Sequence, residues 1–454
     1  MGSEWVESQL GDHCEILSAK RIFASDYVDN GIPFYRSKEI IEKAAGQNVS
    51  NQLFISEERF FDIKNKFGAP KNGDLLISAV GQRAGIPYHV SNDGDFYFKD
   101  GNLIWFRNFK ESLFSNFLSY LLQSRLGQNK LEAIMIGSAQ KALTIIGLKG
   151  VSFNIPSLPE QKAIAHVLGA LDDRIELNRR MNETLESMAQ ALFKSWFVDF
   201  DPVIDNALAG GKEIPAELCE KAQARAALGD KRRPLPEEIR TLFPDEFTYS
   251  DELGWIPKGW VVSSVGKEFD VTMGQSPPGT TYNDNGEGIA FFQGRTDFGF
   301  RYPSNRIYCT APKRFANKGD TLISVRAPVG DVNMAHIDCC IGRGVSAARH
   351  KSGSRSFTYY SMLEFRENFN KFEAEGTVFG SINQKDFKAL LQLKNDKKLL
   401  EVFEVQAGAL DGKIEQNSLA ILNLTKLRDT LLPKLLSGEL RIRDAEKMVE
   451  ELAL

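Results

Sequence analysis

Residue types that could carry catalysis are sparse in this sequence and poorly spaced. The five histidines, at positions 13, 89, 166, 336 and 350, form no His-x-x-x-His pair for a metal. Glu160-Gln161-Lys162 is the single Glu-x-Lys triplet, and the nearest upstream aspartate, Asp100, is 60 residues away, so no nuclease motif forms. Gly342-Arg343-Gly344 does not extend to a dinucleotide-binding fingerprint, and no P-loop, Gly-x-Ser-x-Gly elbow or Asn/Asp-Pro-Pro-aromatic methyltransferase tetrapeptide occurs. The sequence therefore predicts no catalytic residue, no metal site and no bound cofactor.

Composition points to an ordinary globular protein of several folded units. The chain has 454 residues, a formal net charge of −4 and a hydrophobic fraction of 42%, and a length of about 150 residues per domain favours three units. The five cysteines form no Cys-x-x-Cys pair. We interpret them as reduced, buried thiols of a cytoplasmic protein. No stretch approaches the roughly 20 apolar residues that cross a membrane, and no signal peptide is expected.

The chain repeats itself. Four short segments of the first half recur in order in the second half, at offsets of 255, 246, 243 and 239 residues. The pairs are Trp5–Gly11 with Trp260–Gly266, Gly73–Ser78 with Gly319–Ser324, Gly137-Ser138 and Gln140-Lys141 with Gly380-Ser381 and Gln384-Lys385, and Leu171–Asn178 with Leu410–Asn417. Four ordered matches indicate two copies of one unit, each with a β-rich first part and a helical second part.

Apolar residues in each helical part alternate in steps of four and three, as in a coiled coil. The predicted inward positions are Ile164, Leu168, Leu171, Ile175, Asn178, Asn182, Leu185, Ala189, Leu192 and Trp196, and then Phe403, Ala407, Leu410, Ile414, Asn417, Ile421, Leu424, Arg428, Leu431 and Leu435. Asn178 and Asn417 share one register, and an inward asparagine fixes register because a slipped pairing leaves its amide unsatisfied. An amphipathic helix that packs only on its own domain is the alternative.

The remaining regions complete the predicted organisation. Ser157, Pro159 and Glu160 suit the start of the first helix, and Trp196 and Phe197 either bury against the partner helix or anchor another subunit. Residues 201–258 are interpreted as a linker whose Lys231-Arg232-Arg233 run is either solvated or in contact with phosphate.

Residues 1–158 carry 17 basic and 17 acidic side chains, and residues 260–395 carry 17 basic and 13 acidic side chains, so the β-rich parts can present a locally basic face.

Two helical segments resemble a known family. The run Leu158–Asn178, which begins Leu-Pro-Glu-Gln, and the run Leu432–Arg441 resemble the conserved segments of specificity subunits of type I restriction–modification enzymes. Gly254–Trp260 resembles the entry into a recognition domain of that family. The second copy departs from the pattern, because Leu393–Lys397 stands where Leu-Pro-Glu-Gln is expected.

The resemblance implies an α+β protein with two mixed α/β target recognition domains, each followed by a long helix, and an antiparallel coiled coil of the two helices. The expected boundaries are 1–158 for the first recognition domain, 159–200 for its helix, 201–258 for the linker, 259–395 for the second recognition domain, 396–440 for its helix and 441–454 for a tail. The first helical repeat spans 33 residues, or roughly 50 Å, which exceeds one turn of duplex DNA.

The resemblance also implies a function and partners. The chain would be a non-catalytic, cytoplasmic subunit, associated with the nucleoid of a bacterium or archaeon, that reads a bipartite, non-palindromic sequence in double-stranded DNA, one domain per half-site. Two methyltransferase subunits would bind S-adenosylmethionine and methylate adenine N6, and restriction subunits would supply ATP- and Mg-dependent translocation and cleavage. A standalone enzyme, a fused single-chain restriction enzyme and a protein-binding coiled-coil adaptor without DNA readout are the rival interpretations.

Hydrogen bonding to base edges needs polar side chains on loops beside a rigid sheet. The repeated Gly-Ser and Gln-Lys segment is the strongest candidate, because it recurs just before each helix. The candidate DNA-binding residues are Arg36, Ser37, Lys38, Gln82, Arg83, Gln140 and Lys141 in the first copy, and Gln293, Arg295, Arg326, Arg343, Asn383, Gln384 and Lys385 in the second. Each is also a plausible plain surface residue.

Overall fold

The computed structural model describes residues 5–137, 140–229, 234–374 and 380–451. Contacts divide the chain into two compact units: unit 1 holds residues 1–180 and 417–454, and unit 2 holds residues 181–416. The sequence-based boundaries placed each long helix in a separate segment, whereas each helix contributes one half to each unit. Ser138 and the Lys231–Arg233 run lie outside the described residues.

The described residues of the first copy form ten strands and six α-helices. The strands are β1 (Val6–Gln9), β2 (Glu15–Leu17), β3 (Tyr27–Val28), β4 (Ile32–Tyr35), β5 (Leu53–Ile55), β6 (Leu75–Ser78), β7 (Pro87–His89), β8 (Tyr97–Phe98), β9 (Leu103–Arg107) and β10 (Ser152–Ile155). The helices are α1 (Ser37–Ala44), α2 (Glu57–Phe67), α3 (Ser115–Gln123), α4 (Arg125–Ile134), α5 (Ile145–Gly150) and α6 (Leu158–Phe197).

The stretch between the copies, interpreted from the sequence as a linker, is folded. It forms α7 (Asp201–Ala209), α8 (Cys219–Ala227), α9 (Glu237–Arg240), β11 (Phe247–Ser250) and β12 (Gly254–Pro257). Val203 and Phe243 are buried in the core of unit 2. Apolar side chains spaced for burial, rather than the Ala-rich and basic composition, decide the structure here.

The second copy and the C-terminal residues add eleven strands and six helices among the described residues. The strands are β13 (Val261–Ser264), β14 (Phe269–Met273), β15 (Tyr282–Asn283), β16 (Ile289–Phe292), β17 (Tyr308–Cys309), β18 (Phe315–Ala316), β19 (Thr321–Ser324), β20 (Val332–Met334), β21 (Cys339–Ile341), β22 (Val345–His350) and β23 (Leu391–Lys394). The helices are α10 (Val265–Glu268), α11 (Arg355–Glu364), α12 (Arg366–Ala374), α13 (Gln384–Ala389), α14 (Lys397–Leu436) and α15 (Ile442–Glu451). The predicted tail therefore contains a helix, because Ala445 is buried in the core of unit 1.

The sheets confirm the duplication. The antiparallel sheet β2-β9-β6-β7 of the first copy has the same strand order as β14-β22-β19-β20 of the second. In a second pair of sheets, β3-β5-β4-β8 corresponds to β15-β17-β16-β21, and the last two strands of each run parallel, while β18 is added in the second copy. The end strands β1 and β10 correspond to β13 and β23. The predicted α+β class with a long helix after each sheet domain is confirmed.

The repeated Gly-Asp…Ser segment builds a turn, a strand and the start of a loop. Gly73 and Gly319 both have φ near 88°, a left-handed conformation that favours glycine. Asp74 accepts a hydrogen bond from Lys71 N at 3.1 Å, and Asp320 accepts one from Asn317 N at 2.7 Å. Both strands that follow are buried, so the repeat at this place reflects a structural need.

The two long helices pair antiparallel. In unit 1, Ile164, Leu168, Leu171 and Ile175 share a buried cluster with Leu424, Leu431 and Leu435. In unit 2, Ala189 and Trp196 share one with Phe403 and Ala407. The first half of α6 therefore meets the last half of α14, and the last half of α6 meets the first half of α14. The coiled-coil prediction is confirmed, and Trp196 and Phe197 are buried as one alternative predicted.

Some predicted inward positions are only half-buried. Asn182 and Asn417 are 1% and 3% exposed, but Asn178 is half-buried, so the matched inward asparagines at 178 and 417 are only partly correct. Leu185, Leu410 and Ile421 are also half-buried. A helix of 3.6 residues per turn drifts by about 20° per heptad from a strict seven-residue repeat, so its buried face moves off the predicted positions.

An aspartate on each long helix ties that helix to its sheet domain. In unit 1, Asp172 accepts hydrogen bonds from Tyr120 Oη at 2.7 Å and Arg428 Nη1 at 2.8 Å. In unit 2, Asp411 accepts from Tyr360 Oη at 2.8 Å and Arg301 Nη1 at 2.9 Å. The Arg301 side chain is fully buried, also contacts Glu186 at 3.3 Å and lies 3.9 Å from the Tyr359 ring centroid.

The start of α6 explains the Leu-Pro-Glu-Gln segment. Gln161 is 0% exposed, accepts a hydrogen bond from Phe114 N at 2.7 Å, and donates to Ser112 O at 3.0 Å and Pro156 O at 2.9 Å. The corresponding residue of α14, counted from its first residue Lys397, is Leu400, which is 1% exposed. The second copy thus replaces a buried hydrogen-bonded amide with an apolar side chain and begins its helix without the motif.

Replacement of Gln161 with Ala is expected to lower the free energy of unfolding of unit 1 by about 1–3 kcal/mol, because it leaves the buried Phe114 N–H without its partner. Urea denaturation followed by circular dichroism measures the change. Lys162→Ala, at the adjacent exposed position, is the control and should stay within about 0.5 kcal/mol. Equal stability of the two variants would contradict the role given to Gln161.

Candidate nucleic-acid interface

Three loops of the first copy and the start of α1 meet at one edge of its sheets. We call residues 36–38, 79–86, 99–102 and 140–143 the first loop edge. Main-chain hydrogen bonds connect these loops: Ala79 N donates to Asn102 O at 2.8 Å, Leu143 N to Ala79 O at 2.8 Å, and Gly81 N to Lys141 O at 3.0 Å. The edge is therefore held by its backbone, which leaves exposed side chains available for other partners.

The second copy builds the same edge from residues 293–295, 325–331, 342–344 and 380–383, the second loop edge. Val325 N donates to Gly344 O at 2.9 Å, Ile382 N to Val325 O at 3.1 Å, and Ala327 N to Gly380 O at 2.9 Å. Each of these bonds has a counterpart in the first loop edge. The match extends to the strand before the edge, where Gly342 N bonds Phe292 O and Lys99 N bonds Tyr35 O, both at 2.9 Å.

A serine at the end of a buried strand shapes the central loop of each edge. Ser78 Oγ donates to Arg83 O at 2.6 Å and accepts from Ile86 N at 2.9 Å. Ser324 Oγ donates to Pro328 O at 2.8 Å and accepts from Asp331 N at 2.9 Å. Both serines are 0% exposed. The loops that carry Arg83 and Arg326 therefore have defined conformations.

Exposed cations and amides cover both edges. Gln82, Arg83, Gln140 and Lys141 are exposed on the first loop edge. Gln293, Arg295, Arg326 and Arg343 are exposed on the second. These are the side chains that pair with base edges and phosphates, and the structure brings each set of four together on connected loops.

Two predicted residues of the first edge have structural roles. Burial would raise the pKa of the fully buried Glu39, but the Arg36 guanidinium, 2.6 Å away, and backbone hydrogen bonds hold that pKa below its usual value. Ser37 Oγ donates to Asn102 O at 2.7 Å and so connects two loops. Lys38 is exposed and lies 3.8 Å from Glu42. Of this group, Lys38 is the residue best placed for an external contact.

Two residues of the second edge are also partly engaged. Arg295 Nη1 lies 2.7 Å from Asp331 Oδ2, and the arginine side chain is 51% exposed. Asn383 caps α13, because its Oδ1 accepts a hydrogen bond from Asp386 N at 2.9 Å. The prediction of Asn383 as a base-reading residue therefore meets a competing structural role, since asparagine is a preferred helix cap.

The predicted alignment of the two Gln-Lys segments is wrong. Ala142 is bridged to Val80 in the first copy, and Ser381 is bridged to Arg326 in the second. Thr144 caps α5 and Asn383 caps α13. Gln140 and Lys141 therefore precede the bridge, whereas Gln384 and Lys385 follow it in the first turn of α13. Ala142 and Ser381 are separated by the same number of residues as Leu171 and Leu410. The differences in length between the two copies therefore lie before Ala142 and Ser381.

Sequence reasoning missed two parts of the edges. Ser381 lies in the repeated Gly-Ser segment but was not among the candidate DNA-binding residues, and it is exposed and bridged to Arg326. The loop of residues 99–102 occupies the place of Gly342–Gly344, and its Asp100 pairs with Arg21 at 2.8 Å. The first edge thus carries an acidic residue on the loop where the second carries Arg343.

The described residues contain no group of three or more histidine, cysteine, aspartate or glutamate side chains that could hold a metal ion. All five cysteines are free, and Cys14, Cys309, Cys339 and Cys340 are buried. Among the described residues, no helix is long and apolar enough to span a membrane.

Comparisons with known proteins agree with one another. Residues 2–187 match the family model for the type I restriction modification DNA specificity domain. The chain is 26% identical to the type I restriction enzyme HindI specificity subunit of Haemophilus influenzae, with 96% of this chain and 100% of that protein covered. It is 27% identical to a putative type I restriction enzyme MjaX specificity subunit of Methanocaldococcus jannaschii, with 82% and 79% covered.

A solved structure shares the fold. The crystal structure of the type I restriction–modification system S subunit from M. genitalium matches with a TM-score of 0.57 at 16% identity, and covers 95% of this chain and 96% of that one. The family model covers the first copy, and the curated relatives extend over both copies. The chain is therefore similar over both copies to specificity subunits of type I restriction–modification enzymes, and it shares with one of them the fold of duplicated sheet domains and paired long helices.

Proposed function

We propose that each loop edge reads one half of a bipartite DNA sequence and that the chain positions methyltransferase subunits on that sequence. The observation that carries this proposal is the pair of loop edges, which share one backbone hydrogen-bond pattern but present different side chains. A shared backbone gives both edges the same way to approach a duplex. Different side chains give each edge its own base sequence, so the complete target is non-palindromic.

Charge supports base readout with modest phosphate contact. The chain carries a net charge of −4, whereas a binder that depended mainly on phosphate contacts would be strongly basic. Each edge nevertheless carries exposed cations, Arg83 and Lys141 on the first edge and Arg326 and Arg343 on the second. Arginine bonds guanine with two hydrogen bonds, and glutamine does so with adenine.

The reaction itself belongs to partner subunits in this proposal. Methyltransferase subunits, two per chain, bind S-adenosylmethionine and methylate adenine N6 within the target. Restriction subunits add ATP- and Mg-dependent translocation and cleavage. This chain contributes recognition in the cytoplasm and no catalytic residue, which agrees with the absence of catalytic motifs from its sequence.

Long-read methylation mapping of DNA from cells that carry this chain and its neighbouring methyltransferase gene tests the bipartite target. We expect one split motif with an unread spacer and methylated adenine. Deletion of residues 260–395 should abolish the motif, and Ala at Gln293, Arg326 and Arg343 together should relax one half of it only. One continuous motif would contradict the two-reader model. No motif, with the chain still bound to its methyltransferase partner, would favour the protein-binding adaptor.

Measurements of DNA affinity test the contribution of individual side chains to recognition. Arg343→Ala, and the double change Gln384→Ala with Lys385→Ala, should each weaken binding to the correct half-site by about 1–3 kcal/mol per lost base contact. Fluorescence anisotropy with the target duplex and a scrambled duplex measures the loss. Lys397→Ala is the control, because its side chain is 78% exposed at the start of α14, away from the loop edge. Unchanged affinity of a variant would remove that residue from the reading surface.

An exposed apolar surface on the helix pair of unit 1 is proposed to bind a methyltransferase subunit. Leu177, Leu419 and Leu422 are 59%, 51% and 61% exposed, and the fully buried core of a protein interface is more apolar than the surrounding surface. Leu419→Asp with Leu422→Asp should lower co-purification of the methyltransferase subunit about tenfold or more and leave the fold intact. Asn423→Asp is the control, because it adds a negative charge at the exposed position next to Leu422. Undiminished co-purification would place the docking surface elsewhere.

A further inference from the structure

Ile146 is the most exposed large apolar side chain of the described residues, at 85%. It is the second residue of α5, directly after the first loop edge. The helix is anchored at both ends: Thr144 Oγ1 accepts a hydrogen bond from Gly147 N at 3.0 Å, and Leu148 is 0% exposed. The isoleucine therefore stands at a fixed place in solvent, and burying it against a partner would gain hydrophobic free energy.

A second exposed isoleucine lies close by. Ile136 is 58% exposed, and it exchanges two main-chain hydrogen bonds of 2.9 Å with Ala142. Gln140 and Lys141 lie within the turn that this pair closes, and Gly81 N bonds Lys141 O at 3.0 Å. Two apolar side chains thus adjoin a loop edge that also carries exposed Arg83 and Lys141. The first edge therefore offers apolar and cationic contacts side by side.

The second copy has different chemistry at the equivalent place. Thr144 and Asn383 cap α5 and α13, two helices of six residues, so Ile146 corresponds to Lys385. Lys385 is exposed as well. The same scaffold therefore presents an aliphatic group in one copy and an ammonium group in the other, which excludes a need of the fold as the reason for the isoleucine.

We propose that Ile146 contacts the 5-methyl group of a thymine in the major groove of the first half-site. This inference rests on the proposed function. In the major groove, the thymine methyl is the one apolar group that distinguishes one base pair from another, and apolar side chains recognise it by contact. Neighbouring Arg83 and Lys141 supply the polar and phosphate contacts that position such a side chain. Any half-site that contains a methylatable adenine also contains a thymine on one of its strands.

The test replaces each thymine of the first half-site in turn with deoxyuridine, which lacks only the 5-methyl group. The complex of the full chain with its methyltransferase subunits is titrated with each duplex by fluorescence anisotropy. One position should weaken binding about fourfold, the factor expected for loss of one buried methyl-sized group. In the Ile146→Ala complex, the thymine and deoxyuridine duplexes should bind equally at that position. Lys385→Ala is the matched control and should keep the fourfold difference.

Three results would overturn the inference. If no thymine of the first half-site matters, or if Ile146→Ala keeps the same sensitivity to deoxyuridine, Ile146 does not touch a thymine methyl. If Ile146→Ala instead loses its methyltransferase subunits, the isoleucine belongs to a protein interface. These outcomes leave the proposed function standing when the wild-type complex still prefers its target. A wild-type complex that binds target and scrambled duplexes equally overturns the proposed function, and this inference with it.

Discussion

Main-chain hydrogen bonds between loops are the constraint on which both copies depend. Ala79 bonds the loop of residues 99–102 on one side and Leu143 on the other, and Val325 does the same in the second copy. The central loop is fixed in turn by the hydroxyl group of Ser78 or Ser324. Since these bonds involve almost no exposed side chain, two edges with unrelated surface residues can have one geometry. A fixed backbone with variable exposed side chains suits a protein whose DNA target is selected by those side chains.

Each long helix is joined to its sheet domain by an aspartate that bonds a tyrosine and an arginine, and the arginine comes from a different part of the chain in each unit. Asp172 and Asp411 occupy equivalent places, and each accepts a hydrogen bond from a tyrosine of the preceding helix pair. The arginine that neutralises the carboxylate comes from α14 in unit 1 and from the loop before Tyr302 in unit 2. Ala189 stands on α6 where α14 has Arg428, which requires the second copy to bring its cation from elsewhere. The need for a cation is greater at Asp411, whose side chain is 13% exposed, than at Asp172, whose side chain is 36% exposed, because a carboxylate withdrawn from water is destabilising without a partner of opposite charge.

Features with a long period were predictable from the sequence. The helices Leu158–Phe197 and Lys397–Leu436 begin and end within a few residues of the predicted 159–200 and 396–440, because apolar spacing over many turns leaves little freedom. The duplication was visible because Gly73-Asp74 and Gly319-Asp320 serve a turn that tolerates few alternatives. The short helices and strands within residues 201–258 were not located individually, since composition says little about short elements held by tertiary packing. The exposed residues of the loop edges were identified as a class, but not their roles. The engagement of Arg36 by Glu39 and the cap at Asn383 depend on local geometry that no spacing rule reveals.

Mutations in each central loop differ in their effect on stability, depending on whether they change an exposed side chain or the buried serine that fixes the loop. A substitution at Gln82, Arg83, Arg326 or Arg343 changes an exposed side chain, and such changes usually alter stability by no more than about 0.5 kcal/mol. A substitution at the buried Ser78 or Ser324 removes the two hydrogen bonds that hold the central loop and costs more. A lineage can therefore drift among surface sequences without approaching the threshold at which the protein unfolds. The folding of the protein therefore places little limit on which new side chains these exposed positions can carry.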